Sequence, residues 1–253
     1  MKSRVIVAVM LLMLVISLQS ALLLPAVNAS PHIEINAAKA YSMIYSNTYP
    51  NLVIIDVRAP GDYNAGHVPG AINLMVSRPS SSSPWNFDNV TAWINSPQGQ
   101  GNKTNEIIVY CVSGTRSHAT SNYLETNGFT KVFDMGAYSG WSALITAVID
   151  IKPDTLNLDS EGKWVTCYIE LPTPNSVNDI VVSAIIMNNV VYAESKPTEI
   201  GDYDGDTVPD LMIKFDRTAV QDLLYDDEIR LCVTFGLSNG KLCGGWDSIR
   251  VIG

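Results

Sequence analysis

The chain has 253 residues, 47% of them apolar and 16% charged, with a formal net charge of −9. That length allows two ordinary domains, the composition is that of a folded globular chain rather than a disordered one, and the negative balance disfavours a nucleic-acid partner.

Residues 1–29 read as a secretory signal peptide. Lys2 and Arg4 form a basic start, "VIVAVMLLMLVI" (5–16) an apolar core, and "VNA" before Ser30 a small-residue cleavage site after Ala29. The alternative is an uncleaved anchor, but the apolar core is short against the roughly 20 residues a span requires, and Ser17, Gln19 and Ser20 interrupt it. The expected localisation is therefore export, secreted or associated with the cell surface. Asn-x-Ser/Thr tripeptides at Asn89 and Asn102 matter only where the host glycosylates exported chains.

Residues 30–150 alternate strand and helix signals. "IEI" (33–35) is a short strand, and Asn36 can cap a helix over "AAKAYSMIYS". "LVIIDV" (52–57) and "EIIVYC" (106–111) are continuous apolar runs of the buried parallel-strand type. "GAINL" (70–74) is a further short strand, "RPSSSSP" (78–84) a loop, and "FDNVTAWIN" a helix. After Cys111, "RSHATSNYLETNG" reads as a helix closed by Gly128, "KVFDM" (131–135) as a strand, and "YSGWSALITAVI" (138–149) as a last helix. This alternation predicts an α/β layer domain with a mostly parallel sheet.

From residue 151 the pattern changes. "WVTCYIEL", "DIVVSAIIM", "VVYAES", "DLMIKF", "EIRLCVTFGL" and "SIRVIG" are strand-like and rich in β-branched residues, "LSNGKL" carries an Asn-Gly hairpin signature, and "RTAVQDLL" (217–224) suggests a helical turn. Residues 151–253 are expected to form an all-β sandwich. They hold 8 Lys/Arg and 17 Asp/Glu, whereas residues 30–150 hold 6 and 8, so the acidity belongs to the second domain.

Cys111 ends an apolar strand, and ligands of open α/β sheets bind beyond the carboxyl ends of the strands. The loop after it feeds a helix start, where backbone N–H groups and the helix dipole favour an anion. Gly114 permits a tight curl, and Arg116 adds positive charge. A thiol so placed is suited to react as thiolate; alone it would read as an ordinary buried cysteine.

Four stretches, "DVR" (56–58), "GHVPGAINL" (66–74), "CVSGTRS" (111–117) and "GAYSGW" (136–141), in this order and spacing, resemble the signatures of rhodanese-like sulfurtransferase domains over about 115 residues. The resemblance implies that Cys111 is the nucleophile. It would accept a sulfane sulfur from a small anionic donor of the thiosulfate type and, as a persulfide, pass it to a thiol or another thiophilic acceptor such as cyanide. It also implies that the amides of Val112, Ser113, Gly114, Thr115 and Arg116 cradle the transferred sulfur, and that Arg116 steers the donor. Asp56 and Arg58 correspond to a structural pair, His67 to a turn motif, and Trp141 to packing of the last helix. No cofactor is required. The chain departs from many relatives at Gly136-Ala137, where a Gly-Gly pair is common, and at Ala59-Pro60-Gly61, where an acidic residue is common. Cys-based phosphatases and some arsenate reductases have Cys-x5-Arg; this chain has the shorter Cys-x4-Arg. Two other readings stay open: a non-catalytic binding module on the same fold, and a phosphatase or arsenate reductase.

In the second domain, Asp202, Asp204, Asp206 and Asp210 fall at positions 1, 3, 5 and 9 of a calcium-loop pattern, with Thr207 where position 6 wants Gly and Ile213 where position 12 wants Glu. The loop is either a weak calcium site or a solvated acidic turn. Cys232 and Cys243 flank the Asn-Gly turn and are expected to form a cross-strand disulfide in an exported protein, leaving Cys167 unpaired beside Cys111. The sandwich shows no catalytic set of its own and is expected to serve adhesion, dimerisation or surface placement through a protein or surface partner.

Overall fold

A computed structural model describes residues 31–101, 103–224 and 228–253. The signal-peptide expectation and the Asn102 tripeptide lie outside these residues. Among the described residues no helix is long and apolar enough to cross a membrane.

The N-terminal half is a three-layer α/β domain. Strands β1 (Ile33–Glu34), β2 (Val53–Asp56), β3 (Ile72–Asn73), β4 (Ile107–Cys111) and β5 (Val132–Ala137) make one sheet in the order β1-β5-β4-β2-β3. Every pairing in it is parallel. The central strand β4 is buried along its whole length because both faces are covered. One face packs with Met43 and Tyr110 beneath α1 (Ala37–Tyr45), whose N-terminus is closed by the Asn36 side chain accepting the Lys39 N–H at 2.9 Å. A short turn of helix, α2 (Pro60–Ala65), follows β2. The other face packs with Val90 and Ile94 of α3 (Asp88–Ile94) and Leu124 of α5 (Thr115–Thr126); a short helix, α4 (Pro97–Gly101), follows α3. Gly128, at φ +88°, ends α5 as expected.

The last helix of this half is shorter than expected. Only α6 (Tyr138–Ser142) is helical; β6 (Ile145–Thr146) and β7 (Val148–Lys152) follow. From Ala147 to Lys152 burial alternates, with Ala147, Ile149 and Ile151 inward. The β-branched side chains there satisfy a period of two, and the pleated surface wins over the helical reading. Both strands belong to the C-terminal sheets: β6 pairs with β15 (Leu242–Ile252), and β7 with β9 (Trp164–Glu170).

The C-terminal region is all-β, as expected. One sheet runs β11 (Val191–Tyr192), β10 (Ile186–Met187), β14 (Glu228–Gly236), β15, β6, with β8 (Thr155–Asn157) also on β15. The other runs β12 (Glu199–Gly201), β13 (Asp210–Asp216), β9, β7. Ile151, Cys167, Ile169, Ile213 and Phe215 of one sheet and Leu231, Val233, Phe235 and Ile249 of the other share a single core. A short helix, α7 (Arg217–Gln221), is capped by Asp216 accepting the Ala219 N–H. The stretch 179–187 is not one strand. Its buried residues Ile180, Ile185 and Met187 are not at even spacing, and 3₁₀ turns at Val177–Asp179 and Val182–Ala184 carry the chain before β10.

The Asn-Gly hairpin forms, with Gly240 at φ +82°, but its register rules out the expected disulfide. Cys232 lies opposite Trp246, and Cys243 opposite Phe235. Residues 232 and 235 are an odd number apart, so the two thiols point to opposite faces, and all four cysteines are free. Cys243 faces the sandwich core. Cys232, buried on the other face, lies near Tyr41 and Tyr45 of α1.

That face joins the two halves. Helix α1 packs across β14 and β15, and the Asn189 amide donates to the Lys39 carbonyl at 3.3 Å. Gly244 lets the Tyr41 ring lie against the strand: a Cβ there would come within 2.9 Å of Tyr41 Cδ1. At Gly245 a Cβ would collide with the Ala147 carbonyl and the Ile149 side chain, both backed by the core. Gly245→Ala should therefore destabilise the protein by about 1–3 kcal/mol, the usual cost of overpacking, read as a lower urea midpoint at unchanged m-value.

Candidate active site

The carboxyl end of β2 is built around a buried ion pair. Asp56 is fully buried and Arg58 is 5% exposed. Arg58 Nη2 donates to Asp56 Oδ2 at 2.7 Å, Nε to both carboxylate oxygens at 3.0 Å, and the Arg58 N–H to Oδ1 at 2.8 Å. A second Nη2 bond goes to the Gly66 carbonyl, and the guanidinium lies 4.0 Å from the Tyr138 ring centroid. Asn73 donates to the Asp56 and Arg58 carbonyls, each at 3.0 Å. His67, by contrast, is exposed, stacked on Tyr63 at 3.9 Å, with Nδ1 3.0 Å from the Tyr63 carbonyl. Trp141 stands on α6 with its ring 6.0 Å from Tyr41, a packing position.

Cys111 closes β4, with Ala137 of β5 as its register partner. Its side chain is fully covered and abuts the apolar cluster under α5. Its polar contacts come from the following loop. The Gly114 N–H donates to Sγ at 3.1 Å, and the thiol faces Ser117 Oγ at 3.8 Å. Ser117 in turn donates to the Gly114 carbonyl at 2.9 Å. Gly114 holds φ +93°, which a side chain would resist, and this conformation turns its amide toward the sulfur. The first intrahelical bond of α5 is His118 N–H to the Gly114 carbonyl, so the N–H groups of Thr115, Arg116 and Ser117 precede the helical ladder. Val112, Ser113 and Thr115 are exposed on this loop.

Arg116 does not reach the thiol by a hydrogen bond; its Nη1 is 3.5 Å from the Val57 carbonyl at the end of β2. With Ser113 and Thr115 it lines a cleft of about 410 Å³, whose other wall is Ala59, Met75, Val76, Ser77, Arg78 and Trp85. Arg78 lies 4.2 Å over the Trp85 ring and donates to the Ser81 carbonyl at 2.9 Å. Two cations thus face one small opening beside the cysteine loop. Sequence reasoning missed Arg78, Trp85 and Ser117. The Ser77–Asn86 bridge that folds the serine-rich loop back is a pairing no local pattern announces.

Burial disfavours the thiolate at Cys167, Cys232 and Cys243. Burial pushes Cys232 up to about 12 and Cys243 up to about 11, and raises Cys167 well above the ordinary thiol value. Cys167 lies in the sandwich core and not beside Cys111.

At the far end of the sandwich, donor atoms of Asp202, Asp204 and Asp210 lie within 4.8 Å of one another, as do those of Glu170, Asp204 and Asp206. Glu170 was absent from the sequence pattern; it arrives from β9 because Asp210 and Glu170 are register partners. Thr207 takes φ +78°, the left-handed conformation a glycine would supply. The carboxylates also accept local amides, Gly205 N–H to Asp202 and Tyr203 N–H to Asp210 among them. Burial, and then the neighbouring acids, raise the Glu170 carboxyl above its ordinary value. Asp210 is raised chiefly by burial and further by Asp204, Asp206 and Asp202, against the lowering bond from Tyr203.

Comparison with known proteins follows the same residues. A family model, rhodanese-like domain, matches residues 36–144. Thiosulfate sulfurtransferase 16, chloroplastic, of Arabidopsis thaliana is 36% identical over 89 residues, spanning 35% of this chain and 72% of that protein. Thiosulfate sulfurtransferase GlpE of Tolumonas auensis is 29% identical over 93 residues, spanning 36% of this chain and 74% of that protein. A crystal structure of a rhodanese-like domain protein from Staphylococcus aureus aligns at 23% identity with a TM-score of 0.34, over 43% of this chain and 90% of that one. With the parallel sheet and the four motifs in place over the matched segment, this chain belongs to the rhodanese-like domain family.

Proposed function

We propose that the chain is an exported sulfurtransferase that carries sulfane sulfur as a persulfide on Cys111. The observation that carries this reading is the Gly114 N–H aimed at Cys111 Sγ at the start of α5. Family membership and the thiosulfate sulfurtransferases among its relatives support sulfur transfer as the general chemistry. Export rests on the sequence of residues 1–29.

The thiol first gives up its proton to solvent water as the loop opens, and the thiolate left behind keeps the Gly114 N–H as a hydrogen-bond donor. The thiolate then attacks the outer sulfur of thiosulfate. A bond forms between Sγ and that sulfur, the donor's S–S bond breaks, and sulfite leaves with the electron pair. The new terminal sulfur lies where the loop and first-turn amides of residues 112–116 can hold its negative charge. An acceptor thiolate or cyanide attacks this sulfur, and Cys111 is released as thiolate, so no external oxidant or reductant is needed. Since Cys111 has no exposed surface, entry requires the 112–116 loop to open, and a single sulfur atom demands the smallest opening. Arg78 and Arg116 at the cleft select an anionic donor. The Cys-x4-Arg spacing disfavours the phosphatase or arsenate reductase reading, and retention of the thiol disfavours a purely binding role.

Incubation with thiosulfate should add the mass of one sulfur atom to the Cys111 peptide, and thiocyanate should form when cyanide follows. Cys111→Ser should lose both. Arg116→Ala should lower kcat/KM for thiosulfate by about 10- to 100-fold, as expected for a lost charge-assisted contact, while Arg78→Ala acts mainly through KM. Hydrolysis of an aryl phosphate without sulfur transfer would replace this reading, and neither activity would leave the binding module.

The acidic loop keeps its calcium reading because Glu170 supplies the carboxylate that the sequence pattern lacked. Asp202, Asp204, Asp206, Asp210 and Glu170 would hold the ion, with weak affinity. Folding raises the carboxyls of Glu170 and Asp210, so the native state binds protons more readily than the unfolded chain. Their burial, and with it their crowding, therefore costs nothing below the ordinary carboxylate range and its full amount above the raised values. Millimolar calcium should raise the thermal midpoint at pH 7 and have little effect near pH 4, and Asp204→Asn should abolish the difference.

A further inference from the structure

Two of the three histidines of the chain meet at the edge of the parallel sheet, outside the cleft. His32 immediately precedes the edge strand β1, and His118 lies one turn into α5. His32 Nε2 and His118 Nδ1 are 3.1 Å apart. The Glu34 carboxylate offers a third donor, and the three donor atoms lie within 4.8 Å of one another.

The surroundings fix how these rings can be used. The His32 side chain is 7% exposed, and its other nitrogen, Nδ1, faces Glu125 Oε1 at 3.4 Å. Both are buried atoms with no hydrogen-bond partner, facing each other only as a close charge pair. Glu125 stands two turns beyond His118 on the same face of α5, and its side chain is 8% exposed. With a carboxylate on its Nδ1 side, the His32 ring is favoured with its proton on Nδ1, which leaves the Nε2 lone pair directed at the site. This is the carboxylate–histidine arrangement that orients an imidazole toward a metal. Asp134 Oδ2, 3.8 Å from His118 Nδ1, adds a further negative charge. Three carboxylates thus surround two imidazoles, and a cation relieves their repulsion. Two nitrogens on one tetrahedral zinc stand about 3.3 Å apart, given Zn–N of about 2.0–2.1 Å, close to the separation observed here. A direct hydrogen bond between the rings accounts for the distance alone, but not for the converging Glu34 or the Glu125 behind His32.

We propose that His32 Nε2, His118 Nδ1 and the Glu34 carboxylate bind a divalent late transition metal, zinc in the first instance, with water in the fourth position. Glu125 is a positioning residue that sets the His32 tautomer. The ion ties the segment ahead of β1 to α5, the helix that begins at the cysteine loop. This site is independent of the sulfurtransferase reading.

The test is titration of metal-stripped protein with zinc by calorimetry, and with cobalt(II) by visible absorption, in a Cys111→Ser background so that the thiol takes no part. One zinc per chain should bind at micromolar or tighter Kd, and cobalt should give the intense bands of four-coordination. His118→Ala should weaken zinc binding at least 100-fold and abolish those bands. Because the His118 side chain is 55% exposed, this variant should keep its fold, checked by far-UV circular dichroism. Glu34→Gln, at a surface position, removes a ligand without touching the core and should cost at least 10-fold. Glu125→Gln should cost about 10- to 100-fold. Asp202→Asn/Asp204→Asn should leave binding unchanged, which separates the site from the acidic loop. No binding by the parent protein, or equal binding by His118→Ala and Glu34→Gln, would overturn the proposal.

Discussion

The buried Asp56–Arg58 pair is the fixed point of the N-terminal domain. A carboxylate and a guanidinium out of water are tolerable only when their hydrogen bonds are satisfied, and removing one partner typically costs about 3–5 kcal/mol. Here the pair binds outward as well as to itself. Arg58 takes the Gly66 carbonyl and stacks on Tyr138, and Asn73 returns to the carbonyls of both residues. Asp56 is also the register partner of Tyr110, the residue before Cys111. The loops at the carboxyl ends of β2 and β3 and the start of α6 are thereby held to the strand that presents the thiol.

That framework sets a fully covered cysteine at the end of the central strand. The thiol combines an apolar floor with a polar roof of one directed amide and one hydroxyl. The roof is a loop poised on a glycine in a left-handed conformation. The Arg116 charge lies in the cleft and not on the sulfur, so the cationic opening and the amide directed at the thiol are supplied by different groups.

The parallel sheet was legible because its strands are continuous apolar runs bounded by turn signals, and the Cys111 loop because a glycine and an arginine follow a strand end at short range. Features made by long-range pairing were not. Residues 143–149, Ala-Leu-Ile-Thr-Ala-Val-Ile, are apolar enough to be read as the end of a helix, and only the partners of 145–152 on β9 and β15 decide for strand. The Cys232–Cys243 expectation failed on register, which an Asn-Gly turn alone does not fix. Glu170 could not be assigned to the acidic loop, nor Arg78 to the cleft, because each is brought in by a fold-back distant in sequence.

Strand β14 has no solvent side through its middle. Leu231, Val233 and Phe235 enter the sandwich core, while Cys232 and Thr234 are closed off beneath α1. The same helix lines the floor of the parallel sheet on its other side. Excising the family-matched segment as a free-standing unit would therefore bare the outer face of α1, Tyr41 included, to water. The β half acts as the missing wall of its neighbour, and the smallest fragment with a fully clothed transferase fold extends well past residue 144.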